Sequence, residues 1–224
     1  MKRSPGAWRK LTYAIVVPPL VSAPLCILLY LLGVSVDSIK DVWYAGMFAG
    51  SIWLANRDGT SLSQIGLTNR RCATSLALAA IWETVTFFLV GVPIFFLVAG
   101  RWPSLMALDP RMVYPAFHFM LVGLGEETWF RGLIMRRLLD SGAGSVAAVV
   151  SNTALFVLFH VPASAPMLFQ NPSLMPLYLI SMSSLFLWSA GFAVIALKTG
   201  NILGPVALHA VDDFVSKVLY PLSI

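Results

Sequence analysis

Apolar residues run through this chain in long blocks rather than in alternation, and short clusters of glycine, proline and basic residues separate the blocks. A helix that crosses a bilayer takes about 20 mostly apolar residues, and most of the blocks reach that length. The first covers roughly 12–34 and is expected to bend or break at Pro18, Pro19 and Pro24. A short one follows at about 42–55, and others lie at about 72–99, 113–139, 144–160, 174–197 and 202–220. Glycine and proline mark the joints at Arg101-Trp102-Pro103, Ser141-Gly142-Ala143-Gly144 and Lys198-Thr199-Gly200-Asn201. The stretch at about 56–71, NRDGTSLSQIGLTNRR, is polar, turn-rich and basic, and belongs at a membrane surface. The pattern predicts an all-α fold, a polytopic transmembrane helical bundle of about seven spans (six to eight).

Composition agrees. Of 224 residues, 58% are hydrophobic and 11% charged, and the mean hydropathy is +0.81. A soluble domain carries roughly a quarter charged residues, so this chain cannot build a water-facing surface, and the lipid bilayer is its first expected partner. The formal charge of +5 does not point to nucleic acid, because no basic run sits on a soluble element. The basic residues mark sides instead. Lys2, Arg3, Arg9 and Lys10 precede the first span, Arg57, Arg70 and Arg71 follow the second, Arg136 and Arg137 end the fourth, and Lys198 follows the sixth. The alternate loops hold Lys40 with Asp37 and Asp41, then Arg101 and Arg111 with Asp109. The positive-inside rule therefore predicts a multi-pass cell-membrane protein with a cytoplasmic N-terminus, and an odd span count sends the C-terminus outside. The first apolar run exceeds the roughly 7–15 residues of a signal-peptide core, so it is expected to be retained. Cys26 and Cys72 form no C-x-x-C pair and read as packing residues.

The chain has three glutamates, Glu83, Glu126 and Glu127, and all fall inside predicted spans. A charge at the bilayer centre costs a few kcal/mol on insertion scales, so such groups face a protein interior or a wet cavity. On a helix, Glu127 and Arg131 are four apart and can pair, whereas Glu126 points about 100° away. Neighbouring acids in separate environments suit distinct protonation roles. A buried ion network that only packs helices fits the Glu-Glu-Arg set equally well. Two later spans add to it. Phe156 and His160 lie one turn apart in LFVLFH, and in LHAVDDF His209 shares a face with Asp212 or Asp213. One glutamate, two histidines and an aspartate meeting in a bundle would supply a general base, a water positioner and oxyanion donors. No G-x-S-x-G elbow is present, so an activated water is the expected attacker. His118 reads as structural or interfacial, and Glu83 as the partner of a polar group on a neighbouring span.

Taken together, EETWFR, FVLFH and HAVDD fit E-E-x-x-x-R, F-x-x-x-H and H-x-x-x-[N/D], in that order on successive late helices. The chain resembles the CPBP family of intramembrane proteases, which includes type II CAAX prenyl proteases and bacteriocin-processing or immunity proteins. The resemblance covers about 113–220 and implies two parts, N-terminal membrane helices over 1–112 and a catalytic helical core over 113–224. It implies an intramembrane endopeptidase that cuts a membrane-associated or C-terminal peptide, lipidated or not. In the implied roles Glu126 is the general base, His160 helps hold and polarise the water, Glu127 with Arg131 orients the site, and His209 with Asp213 stabilises the oxyanion. Asparagine is usual where Asp213 stands, and an ionised Asp213 would repel an oxyanion; it must be protonated or must orient His209. The favoured chemistry needs no cofactor, because a Glu–His pair activates water by general-base catalysis and H-E-x-x-H is absent. The alternative is Zn2+ on Glu126, His160 and His209. Two other functions stay open, a non-catalytic immunity or scaffold protein of the same fold and a proton-coupled transporter, which would show inverted repeats that are not evident here.

Overall fold

The computed structural model describes residues 6–100, 102 and 110–219; Lys2, Arg3, Arg101 and Asp109, which enter the charge pattern, lie outside them. Among the described residues there is no strand. Helix α1 is Ala7–Leu31 and α2 is Val36–Arg57. Helix α3 runs over 72–99 as an α-helical stretch, Cys72–Thr86, a π turn, Phe87–Gly91, and a second α stretch, Val92–Ala99. Helix α4 runs over 113–140, with Val113–Glu127 and Met135–Asp140 flanking a π segment, Thr128–Ile134. Then come α5, Ser145–Gln170, α6, Met175–Thr199, and α7, Leu203–Leu219.

Three expectations need correction, one being the end of α5, which runs to Gln170, ten residues past its predicted block. Helix α1 runs through Pro18, Pro19 and Pro24 without a break; in a membrane bundle, neighbouring helices satisfy the groups a proline frees. Gly50 of α2 allows that close approach, since a Cβ there would lie 3.1 Å from Pro18 Cα. Helix α2 is also longer than its apolar block. Ser35 caps it by accepting from the Ser38 N–H at 3.3 Å, and the polar turn holding Asp37, Lys40 and Asp41 becomes helical.

Among the described residues, four segments are long and apolar enough to cross a membrane, Trp8–Leu31, Cys72–Leu97, Ser145–Pro162 and Pro172–Thr199. Their outward faces carry exposed Leu20, Ile27, Ile81, Leu89, Leu97 and Leu158, which suits contact with lipid. Helix α4 is as long but carries Glu126, Glu127 and Arg131, and these are buried by the other helices. The chain is a helical membrane bundle.

Small residues set the crossings, as expected where lipid removes the usual hydrophobic drive between helices. A Cβ on Gly204 would lie 2.3 Å from Ser75 O, one on Gly123 2.6 Å from Val206 O, and one on Gly125 2.7 Å from Tyr44 O. These contacts seat α7 on α3 and both α7 and α2 on α4. The core around α4 holds fully buried Met47, Leu54, Phe130, Leu133, Ile134 and Phe156.

The basic loops gather at one end. Arg137 Nη2 pairs with Asp58 at 2.9 Å, Arg71 Nη1 donates to Lys198 O at 3.3 Å, and Asn201 Nδ2 donates to Arg70 O at 3.0 Å. Gly66, with φ +85°, takes the left-handed turn that lets Ile202 N–H donate to its carbonyl at 3.0 Å. At the opposite end Tyr114 and His118, near the start of α4, hold Asp41 of α2 at 2.8 and 2.5 Å.

Candidate active site

The site is built outward from α4. Arg131 Nη1 meets Glu127 Oε1 at 2.9 Å, both side chains being fully buried. Its Nη2 donates to Ser189 Oγ at 2.8 Å, and its guanidinium stacks over the Phe156 ring at 4.2 Å. Glu127 Oε1 also accepts from His209 Nδ1 at 2.8 Å, so one carboxylate joins α4 to α7 while Arg131 reaches α5 and α6. An ionised carboxylate can only accept; Nδ1 therefore carries the proton and Nε2 points away from Glu127. Trp188 packs edge-on against the imidazole with centroids 4.8 Å apart, which locks its plane.

Glu126 faces elsewhere, as its helical phase requires. Its Oε2 lies 3.8 Å from His209 Nε2 and 4.0 Å from His160 Nε2, outside direct hydrogen-bond range and at a spacing that suits a bridging water. That oxygen is buried and takes no hydrogen bond among the described residues, an arrangement that calls for an explanation in a folded protein. His160 Nδ1 lies 2.8 Å from the Phe156 carbonyl. A carbonyl only accepts, so this bond fixes the proton on Nδ1 and turns Nε2 toward Glu126. Asp213 Oδ2 stands 3.6 Å from His209 Nε2.

All four groups line one cavity of about 620 Å3. Glu126 is 2% exposed and forms its floor, whereas His160 and Asp213, at 31% and 33%, stand nearer water. A smaller groove of about 370 Å3, lined by residues of α3 and α6, shares Val90, Ser184 and Leu187 with it.

The structure thus brings together Glu126, Glu127, Arg131, Phe156, His160, His209 and Asp213. Asp212 stands apart from Glu126 and neighbours Glu83 on another wall of the cavity. Glu83 accepts from Trp188 Nε1 at 2.7 Å, the polar partner on a neighbouring span that its position called for. His118 lines the cavity while bonded to Asp41. Several contributors had no motif to reveal them. Tyr44 comes from α2, Trp188 and Ser189 from α6, and Asn152 of α5 donates to Phe130 O at 2.7 Å inside the π segment. That segment supports the site, as π turns inside helices often do.

Zinc asks its nitrogen and oxygen ligands to converge at about 2.0–2.2 Å on one point. Among the described residues no group of three or more His, Cys, Asp and Glu side chains is arranged to hold a metal ion. Glu126, His160 and His209 do not fit a zinc set as they stand.

Residues 109–215 match a family model described as Type II CAAX prenyl endopeptidase Rce1-like. The likeness is to the CPBP, CAAX protease-like family. It covers every residue of the site from Glu126 to Asp213 and leaves α1, α2 and α3 outside. No curated protein and no solved structure matches the chain. The matched family is one of proteases, so the match supports a peptidase in a membrane.

Proposed function

We propose that the chain is an intramembrane endopeptidase in which Glu126 and His160 activate a water to cut a peptide bond. The observation that carries this reading is the pairing of a buried, unbonded Glu126 oxygen with two imidazole Nε2 atoms about 4 Å away, on the floor of a cavity. Water donates one hydrogen to Glu126 Oε2 and one to His160 Nε2. As its oxygen attacks the carbonyl carbon, the first proton passes to Glu126, and the carbonyl π electrons move to oxygen. His209, protonated on both ring nitrogens, donates from Nε2 to that oxyanion. The tetrahedral carbon then expels the amine, which takes the proton back from Glu126; the products are a free amine and a carboxylic acid, whose remaining proton passes to His160 Nε2 and on to water to leave a carboxylate.

Glu127 and Arg131 do no chemistry in this scheme. They hold His209 protonated on Nδ1 and in one plane, as outer partners of a reacting imidazole do. Asp213 orients His209 rather than the oxyanion, since an ionised carboxylate has no hydrogen to donate. The catalytic helical core is residues 113–224, and residues 1–112 add membrane helices that wall the cavity. The substrate is a membrane-associated or C-terminal peptide, and the groove between α3 and α6 has room for a lipid chain on it. The basic end of the bundle is cytoplasmic, and with it the N-terminus.

The purified full-length protein, in nanodiscs, is tested against quenched-fluorescent peptides ending in a tetrapeptide with and without a farnesylated cysteine, and against a mixed peptide library. Cleavage is expected, and it should continue undiminished in excess 1,10-phenanthroline. Activity lost in chelator and restored only by zinc would overturn the metal-free scheme; no cleavage of any peptide would overturn the protease.

A further inference from the structure

Tyr44 of α2 is more than a wall of the cavity. Gly125 has no side chain where α2 crosses α4, and a Cβ there would lie 2.7 Å from Tyr44 O and 3.3 Å from Tyr44 Cα. The Tyr44 backbone therefore lies directly against the residue that precedes Glu126. Its ring is held by α4 and α7. It packs with Phe119, Val122 and Ala210, and it meets the His118 ring edge-on with centroids 6.1 Å apart. Held in this way, Tyr44 lines the cavity with Glu126, His209 and Asp213, and its phenol oxygen lies in the electrostatic field of the Glu126 and Asp213 carboxylates. Among the described residues its hydroxyl makes no hydrogen bond.

Other donors around the cavity are already engaged. The hydroxyls of Thr86, Ser184 and Ser216 donate to backbone carbonyls of their own helices. Trp188 Nε1 donates to Glu83, and His118 Nδ1 is bonded to Asp41. In the water-attack scheme the developing oxyanion receives one hydrogen bond, from His209 Nε2, and an ionised Asp213 has none to give. A carbonyl oxygen that gains charge has room for a second donor, and donors fixed in advance at that point speed the reaction most. A phenol suits the task, because it keeps its proton near neutral pH while donating it in a hydrogen bond. We infer that Tyr44 is a further catalytic residue of this site, its phenol O–H donating to the oxyanion alongside His209 Nε2. The inference rests on the protease reading. The proton stays on Tyr44 throughout; the bond tightens as the carbonyl π electrons reach oxygen and relaxes when they return to expel the amine. No motif marks Tyr44, which lies outside the matched residues 109–215, and only the packing of α2 on α4 brings it to the reacting groups.

The test compares full-length wild type and Tyr44→Phe in nanodiscs on a peptide that the wild type cleaves. A phosphonamidate analogue of that peptide, tetrahedral and anionic at the scissile centre, serves as inhibitor. Phenylalanine keeps the ring and its packing, so the melting curve should not change. Turnover should fall about 10²-fold with KM little altered, and the phosphonamidate Ki should rise by a similar factor. A tyrosine that only packs α2 would leave turnover and Ki at their wild-type values, and that result overturns the inference. Slower turnover with unchanged phosphonamidate binding overturns it too, since the oxyanion would then not be what Tyr44 touches. If Tyr44→Phe does not fold, fluorotyrosine placed at 44 in the otherwise native chain decides the matter. Its fluorine resonance should move when the phosphonamidate binds, and a fixed resonance under saturating inhibitor overturns the inference. A wild type that cleaves no peptide sinks the protease reading and this inference with it, whereas wild-type cleavage with an unaffected Tyr44→Phe sinks this inference alone.

Discussion

Glu126 and Glu127 are adjacent in sequence and opposite in circumstance. Glu127 Oε1 is held by Arg131 and His209, whereas Glu126 Oε2 is buried with no hydrogen bond among the described residues and faces two imidazole Nε2 atoms about 4 Å away. Removing one partner from a buried ion pair strands the other, at a cost of about 3–5 kcal/mol. Arg131→Ala should therefore lower thermal stability in detergent by an amount in that range, and an unchanged melting curve would show that the pair does not hold the bundle. The charged residues of this site were legible because charge is so out of place in an apolar run. Ser189, Asn152 and Trp188 were not, because serine, asparagine and tryptophan are ordinary in membrane helices, and only the folded partner shows what they bind. The sequence paired His209 with either aspartate; helical phase alone cannot separate 212 from 213, whereas the packing against α3 sends Asp212 toward Glu83.

At the scale of the helix, hydrophobic blocks located the seven helices among the described residues to within a few residues at most ends, the end of α5 being missed by ten, because lipid demands continuous apolar length. They misjudged two further features. Prolines were expected to bend or break α1, and the polar first turn of α2 was left outside its helix. Both errors treat local propensity as decisive where neighbours and caps compensate. The π segments were invisible as well, since nothing in TWFRGLI distinguishes a wide turn from a normal one. The crossing of α2 on α4 depends on Gly125. Gly125→Ala would place a methyl 2.7 Å from Tyr44 O and should push the helices apart beside Glu126, destabilising by about 1–3 kcal/mol and slowing cleavage. Gly144→Ala, which meets nothing within 4 Å, is the control and should be silent in both melting and kinetic assays. Equal behaviour of the two variants would remove the crossing from the account.

For the whole molecule, the proposed orientation rests on where arginine and lysine gather. Replacing Arg70, Arg71 and Arg136 together with serine weakens that bias, and a cysteine placed at exposed Ser63 of the basic loop, with Cys26 and Cys72 changed to serine, should become labelled by a membrane-impermeant maleimide from both sides of the membrane. Labelling that stays on one side would mean that other charges set the topology. The division of labour across the chain is also clear at this scale. The family match spans the reacting groups, yet α2 and α3 supply walls of the cavity through Tyr44, Glu83, Phe87 and Val90. Motifs made the late helices legible as a site; the early helices had none, because a wall needs shape rather than particular chemistry.

The central claim is that Glu126 takes the proton of the attacking water. The most direct measurement is the single-turnover rate of Glu126→Gln on a peptide that the wild type cleaves, with a melting curve on the same sample. Glutamine keeps the shape and loses the base, so the rate should fall by roughly 10²–10⁴-fold while the melting temperature holds or rises. Cleavage at the wild-type rate by a folded Glu126→Gln protein would contradict the account.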